Sequence, residues 1–383
     1  MNRTSLLAAS TAGIVCIALA GCGVKKDSEG ETTARAASAV TTEAPASEPA
    51  AEAGAPRLAG TPENWVVWDR ASCSFKPATD HPATYEVTPV TDGGGLKIAY
   101  TPETTQLAFD VKQNDGVNAV ARRSGVELKL LDNQYPSTTQ PINVAKTVAQ
   151  YKPDVVLSMN VIANLYPQIM KIFDRGCLPT VVLDLSPPDN TVFFGIRQGD
   201  MGTVAAEYAG EVMREREWDL AATHVVSCAD ADVGTDPGSP YDRVDYFHRS
   251  IREQFPEIPA DNYEMLNCQT QQGSEIARQR MTDWLTANPQ AKHVVGNAIN
   301  DMRALGMHTA LKAKGMGEDA ALVGIDADPP NIKLIENGDP IFIGDVTQYP
   351  ERRGELLIPL AKDIADGKPV PQEVYMAPGV IHG

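Results

Sequence analysis

From Leu96 onward short apolar runs alternate with amphipathic stretches at helical spacing, a pattern that βαβ units around a parallel sheet can bury. Strands are expected at 96–100, 126–131, 154–159, 180–184, 223–228, 263–267, 293–296, 321–326 and 341–346, with helices at 107–123, 142–150, 164–174, 201–216, 243–254, 274–288, 301–314 and 351–366. Punctuation agrees: Gly125 stands where a left-handed residue closes a helix, and Pro153, Pro179 and Pro289 stand where a helix cannot continue. Thr138 and Thr139 are candidate N-caps. The strands before Asp184 make one doubly wound sheet and those from Thr223 to Asp326 a second, so the fold class is α/β with two parallel-sheet lobes. Neither half carries a G-x-G-x-x-G fingerprint or a P-loop, and Gly93-Gly94-Gly95 precedes the first strand instead of following it. Residues 61–95, with Trp65, Trp68, Cys73 and Pro77, lack a regular pattern and are expected to form an N-terminal extension on the first lobe.

The start of the chain sets where it works. Arg3, an uncharged apolar stretch from Leu6 to Leu19, and Leu19-Ala20-Gly21-Cys22 form a lipoprotein signal too short to remain as a span of about 30 Å of hydrocarbon. Cleavage leaves Cys22 as the lipidated first residue; an ordinary secretory peptide is the plainer alternative. Residues 22–60, dominated by Ala, Glu, Thr, Ser and Pro, cannot bury enough surface to offset ordering entropy and read as a disordered tether. The expected location is extracytoplasmic, anchored to the cell membrane. About 320 residues follow Gly60, enough for two domains. Losing residues 1–21 removes Arg3 alone from a chain of formal charge −17, which makes nucleic acid and anionic lipid poor partners.

The exported part holds Cys73, Cys177, Cys228 and Cys268, an even number in a compartment that permits disulfides. Cys228 and Cys268 end consecutive expected strands and are paired on that ground, leaving Cys73 for Cys177; free buried thiols are the alternative. No C-x-x-C pair suggests a metal or redox site. His81, His224, His248, His293, His308 and His382 have no ligand spacing, and no G-x-S-x-G elbow occurs, so neither a catalytic residue, a metal nor a cofactor is implied.

In open α/β sheets ligands bind beyond the carboxyl ends of the strands. The residues there are Thr101 and Glu103, Asp132 and Asn133, Asn160, Asp184, Asp230 and Asp232, Asn297, Asn300 and Asp301, Asp326 and Asp328, and Thr347 and Gln348. Helix capping or a solvated loop accounts for Asp132, Asp230 and Asp328 as readily as a ligand does. Asp184 is followed by Leu185 and Pro187-Pro188, so no helix begins there for it to cap.

Read together, Asn300-Asp301-Met302-Arg303-Ala304-Leu305-Gly306, Val323-Gly324-Ile325-Asp326 and Gln348-Tyr349-Pro350 resemble the periplasmic sugar-binding proteins of ABC importers, the ribose-binding type. The same fold occurs in lac-repressor-type regulators, but no DNA-binding headpiece precedes it here. The resemblance implies two lobes joined by a three-strand hinge, residues 96–197 plus 348–376 forming lobe one and 198–347 plus 377–383 lobe two, and a mostly monomeric protein that closes on its ligand. Carried over by position, Phe109 matches an aromatic that stacks on a sugar ring, Asp184 a carboxylate accepting hydroxyl hydrogen bonds, Asn300 and Asp326 their counterparts in lobe two, Gln348 a hinge amide, and Asn160 an asparagine after the third strand. Arg197 stands at the first crossing, and Arg243 matches the arginine before a lobe-two helix, unless Tyr241 replaces it.

The chain departs from the family at Leu107-Ala108-Phe109-Asp110, where Asn-Pro-Phe-Phe is usual, at Leu185, where Arg is common, and at Arg197-Gln198 in place of Asp-Asn. A pentose therefore does not follow; a modified sugar, a polyol or another small polar molecule fits as well. The expected function is a lipid-anchored solute-binding protein that delivers a sugar-like ligand to ABC permease subunits. The alternatives are a module presenting its bound solute to a sensor or chemotaxis receptor, and a glycan hydrolase, which would need paired carboxylates about 5 Å or about 6.5 to 9.5 Å apart.

Overall fold

A strand covered by helices on both faces must be apolar along its whole length. Val155–Ser158, Thr180–Leu183 and Ala320–Ile325 are buried at every position and, apart from the hydroxyl residues Ser158 and Thr180 at strand ends, are such segments. They form the middles of two sheets in the computed structural model, which describes residues 57–185, 187–229, 238–268 and 273–383. The signal, Cys22 and most of the tether lie outside the described residues, as do Asp230 and Asp232.

The chain begins with β1 (Trp65–Asp69) and β2 (Ser74–Pro77), then winds through β3 (Lys97–Thr101), α1 (Ala108–Arg123), β4 (Glu127–Leu130), α2 (Gln140–Tyr151), β5 (Val155–Ser158), α3 (Tyr166–Arg175), β6 (Thr180–Leu183) and β7 (Val192–Gly195). It continues with α4 (Gln198–Glu215), β8 (Thr223–Ala229), α5 (Asp242–Gln254), β9 (Tyr263–Asn267), α6 (Gly273–Ala287), β10 (His293–Asn297), α7 (Asp301–Lys314), β11 (Ala320–Ile325), α8 (Pro329–Glu336) and β12 (Phe342–Thr347). It ends with α9 (Gly354–Ala365), β13 (Val370–Pro371), β14 (Glu373–Tyr375) and β15 (Gly379–His382).

The first six-stranded sheet runs β14-β7-β6-β5-β3-β4, all parallel; the second runs β15-β12-β11-β10-β8-β9. β15 is antiparallel to β12, so the second sheet is mixed at one edge. The chain passes between sheets after β7, after β12 and after β14, which makes three crossing segments.

β7, β14 and β15 join the sheets although the apolar pattern does not mark them as strands, and α8 begins at Pro329-Pro330, which reads as a loop. Helix α2 starts at Gln140; Thr139 occupies the N-cap without a side-chain bond, and Ser137 Oγ accepts from the Gln140 N–H at 3.1 Å. The capping expected of Thr138 or Thr139 is thus supplied by Ser137.

Residues 61–95 hold more order than their sequence suggests. β1 pairs with β2 and with β13 in a three-stranded antiparallel sheet, and Trp68 packs edge-on against Phe75. Disulfides join Cys73 to Cys177 and Cys228 to Cys268, with Cα atoms 4.9 and 5.7 Å apart. The first ties the extension to the end of α3; the second ties the ends of β8 and β9. Among the described residues no helix is long and apolar enough to cross a membrane.

Candidate functional site

The β3–α1 connection places Phe109 and Gln113 four residues apart, so both lie on one face of α1. That helix comes close to the turn at 350–352 because Gly116 has no side chain: a Cβ there would strike the backbone of Glu351. The approach brings Gln113 to Arg353, the largest fully buried side chain in the described chain.

Arg353 organises the site. Its guanidinium grips Asp184 through both terminal nitrogens, Nη2 to Oδ1 at 2.9 Å and Nη1 to Oδ2. Nη1 also donates to Gln113 Oε1 at 2.7 Å, and Nη2 to Gln348 Oε1 at 3.1 Å. Gln348 Nε2 then donates to Asp326 Oδ1 at 2.7 Å. Arg243 reaches the same oxygen at 3.4 Å, donates to the Ile299 carbonyl at 2.7 Å, and places Nε on Gln198 Oε1 at 2.7 Å. Gln198 Nε2 closes the ring on the Asp184 carbonyl at 3.4 Å. Members from both sheets and from two crossing segments are thereby joined in one circuit. A bidentate arginine fixes orientation as well as charge, which suits a junction that must hold two lobes in register.

Several residues expected at the cleft meet here and others do not. Asp184, Arg243, Asp326 and Gln348 belong to the ring, and the Phe109 ring lies 5.1 Å from the Arg353 guanidinium, within cation–π range. Tyr241 is the residue that precedes α5 and packs partly buried against an apolar cluster, while Arg243, in the first turn of that helix, is the side chain that reaches the ring. Asn160 is buried beside this region, but its Nδ2 donates to the Ile162 carbonyl at 3.0 Å, and it lines a narrow recess with Glu103 and Asn133. Arg197 is half exposed and stacks 3.8 Å over Tyr375. Asn300 is the N-cap of α7, its Oδ1 accepting from the Arg303 N–H at 3.2 Å. Because that oxygen is committed to the helix, an Asn300→Ala variant reads a lost cap as well as any lost ligand contact.

Arg353, Gln113 and Gln198 are members that sequence reasoning missed. The i, i+4 spacing of Gln113 from Phe109 was available as a signal. For Arg353 none was, because the helix expected over 351–366 gives no reason to choose it over the adjacent Arg352 as a buried arginine.

The backbone is strained where the ring is anchored. Asp184 (φ 64°), Asp326 (φ 120°) and Ala327 (φ 56°) occupy conformations that L residues rarely adopt, and they sit at the carboxyl ends of β6 and β11. Such positions cost about 1–3 kcal/mol each and concentrate at ligand clamps. The surroundings are acidic. Burial pushes Asp326 up to about 6, with Arg243 opposing the shift. Burial likewise carries Glu103 to about 8, helped by the charges of Asp110, Asp184 and Asp326, and Asp110 to about 7 against a hydrogen bond from the Thr104 backbone. Around neutral pH Glu103 and Asp110 can donate as well as accept, while Asp326 is mostly an ionised acceptor.

A cavity of about 380 Å³ opens beside the ring, lined by Asp184 and Gln198 with Phe193, Arg197, Asp242 and Tyr246. Its walls come from both lobes, and its volume lies in the range of small-molecule sites. A separate cavity of about 170 Å³, also lined by Arg197 and Tyr375, is walled by the N-terminal extension and β13–β14. Lys112 of α1 donates to the Ala327 carbonyl across the lobes at 2.6 Å. Among the described residues no cluster of side chains could hold a metal ion.

The family model described as "Periplasmic binding protein domain" matches residues 98–369. No curated protein matches the sequence. Among solved structures, an ABC transporter solute-binding protein from Mycobacterium smegmatis with bound glycerol is 22% identical with a TM-score of 0.60, covering 76% of this chain and 94% of its own. One from Bacillus halodurans with bound myo-inositol is 19% identical at 0.59, covering 76% and 96%. A periplasmic ribose ABC transporter protein from Conexibacter woesei is 18% identical at 0.62, covering 76% and 93%.

Proposed function

Because the chain belongs to the periplasmic binding protein family, we propose that it is the solute-binding protein of an ABC importer and traps a sugar or polyol between its lobes. The family is one of binding proteins, not enzymes. The observation that carries the reading is the hydrogen-bonded ring through Asp184, Arg353, Gln348, Asp326, Arg243 and Gln198, which joins both lobes through the crossings. A hydroxyl leaving water needs a fixed donor or acceptor, and carboxylates held by guanidinium and amide groups are acceptors already oriented. A solute touching residues of both lobes favours the shut arrangement in proportion to the contacts that it makes only there.

Phe109 would cover the apolar face of the solute while Asp184 and Asp326 receive its hydroxyls. The glycerol, myo-inositol and ribose named for its structural neighbours support a small polyhydroxylated ligand without choosing one. The test is a thermal-shift screen of sugars and polyols followed by titration calorimetry. At least one compound should raise the melting temperature, and Asp326→Asn should raise its Kd about tenfold or more, about 1.4 kcal/mol. An unchanged Kd would remove Asp326 from the site, and a panel with no stabilising member would count against the reading as a whole.

The lipidated Cys22 and the tether of 22–60 complete the proposal, holding the lobes near a permease at the outer face of the membrane. Labelled fatty acid should enter the wild-type protein in cells and be absent from Cys22→Ala. Equal labelling of both would refute the anchor.

A further inference from the structure

Two carboxyl groups in the second lobe have no place in the ring, yet are more deeply buried than its acids. Asp301 opens α7 and is 1% exposed; Asp345 lies in the middle of β12 and is fully buried. Each carboxyl uses one oxygen to hold the loop after β11. Asp345 Oδ1 accepts from the Ala327 N–H at 3.1 Å, and Asp301 Oδ2 accepts from the Asp328 N–H at 2.6 Å. The remaining oxygens, Asp301 Oδ1 and Asp345 Oδ2, both converge on the Cα of Gly324, where a Cβ would collide with them. Neither receives a hydrogen bond from any other described group.

Two like charges cannot be held so close in an apolar interior; one proton between them removes the repulsion and supplies the missing hydrogen bond. Burial raises both groups well above the usual carboxylate range, and for Asp301 the facing charge of Asp345 adds to it. The surrounding charges do not reverse this. Asp326 and Asp328, on the loop itself, act in the same direction on Asp345. Arg243 acts on Asp326 and Lys112 on Asp328, and Arg303 on the same helix reaches the Asn300 side chain at 3.4 Å. Asn331 contributes only a neutral amide, to the Asp301 carbonyl.

We propose that Asp301 and Asp345 share a single proton and act as positioning residues, pinning the strained loop that carries Asp326 at the edge of the cleft. The loop needs such a clamp: Asp326 and Ala327 both have positive φ, and the Asp326 N–H is held only from β12, by the Val346 carbonyl at 3.0 Å. Its consequence for solute capture rests on the reading of Asp326 given above. The proton-sharing pair itself does not.

The test uses the full-length protein without ligand. A native state that keeps a proton which the unfolded chain loses above about pH 5 becomes less stable as pH rises, until the pair ionises fully near pH 8. Urea unfolding at pH 5.5, 6.5 and 7.5 should show the wild-type unfolding constant rising about tenfold per pH unit more steeply than that of Asp345→Asn, in which an amide hydrogen replaces the shared proton. Asp301→Asn should flatten the profile in the same way. Equal slopes in wild type and both variants would overturn the proposal. If neither variant folds, the infrared spectrum of Glu103→Gln/Asp110→Asn protein decides: a protonated-carboxyl band at pH 7.5, where Asp326 is ionised, supports the pair, and its absence overturns it. A sloped profile in a protein that binds no sugar would leave the pair standing and the solute reading refuted.

Discussion

Arg353→Ala should lower the unfolding free energy by about 3–5 kcal/mol, the cost of removing one partner from a buried ion pair. The side chain is inaccessible to solvent and meets Asp184, Gln113 and Gln348 at once. Its loss strands the partly buried Asp184 carboxylate and leaves amide acceptors without donors. Total stabilities of about 5–15 kcal/mol make this a large fraction. Arg353→Lys should recover less than half, because an ammonium cannot grip both carboxylate oxygens in the plane that the guanidinium uses. Removing both charges together, as in Asp184→Leu/Arg353→Met, should cost less than Arg353→Ala alone, since no uncompensated charge then remains. Urea unfolding followed by tryptophan fluorescence measures all three. A loss below about 1 kcal/mol for Arg353→Ala would mean that water reaches the pair, as at a surface ion pair.

Cys73→Ala/Cys177→Ala should cost about 2–4 kcal/mol and leave solute affinity unchanged. The bridge closes a span of 104 residues, for which chain entropy alone gives about 4.7 kcal/mol. It lies away from the ring, between the extension and the end of α3, and β1 still has β13 as a pairing partner when it is gone. Cys228 and Cys268 are only 40 residues apart, so their removal should cost about 1 kcal/mol less by the same argument. Denaturant midpoints of the two double variants compare them directly. If the shorter bridge proved the costlier, chain entropy would not be the governing term. If solute affinity fell with the Cys73–Cys177 bridge, the extension would have to be coupled to the cleft.

Much of the fold was legible because its central strands are covered on both sides. Residues 155–157 and 181–183 are continuous apolar runs for that reason, and the helices between them carry amphipathic periods and proline stops. The short strands near the end of the chain were not. β13 is only Val370–Pro371 and β14 only Glu373–Tyr375, too short to show a period, and they become strands because β1 and β7 offer pairing partners. α8 begins with two prolines, which fit the first turn of a helix but read locally as a loop.

At the site, sequence pattern and family resemblance together singled out Asp184, Asp326 and Gln348 as polar residues just past strands. They could not say which groups those side chains would meet. Asn300 stands at an equivalent strand end, and its side chain serves its own helix.

What the residues alone determined is the alternation of buried strand and amphipathic helix, since the period of apolar positions is a local property written along the chain. What only tertiary structure decided is the pairing of charge. Arg353 and Asp184 are 169 residues apart, and Asp301 and Asp345 belong to different elements. Whether such a group sits in water or in a low-dielectric interior facing one chosen partner depends on how distant segments pack, and that environment sets both its protonation and its role.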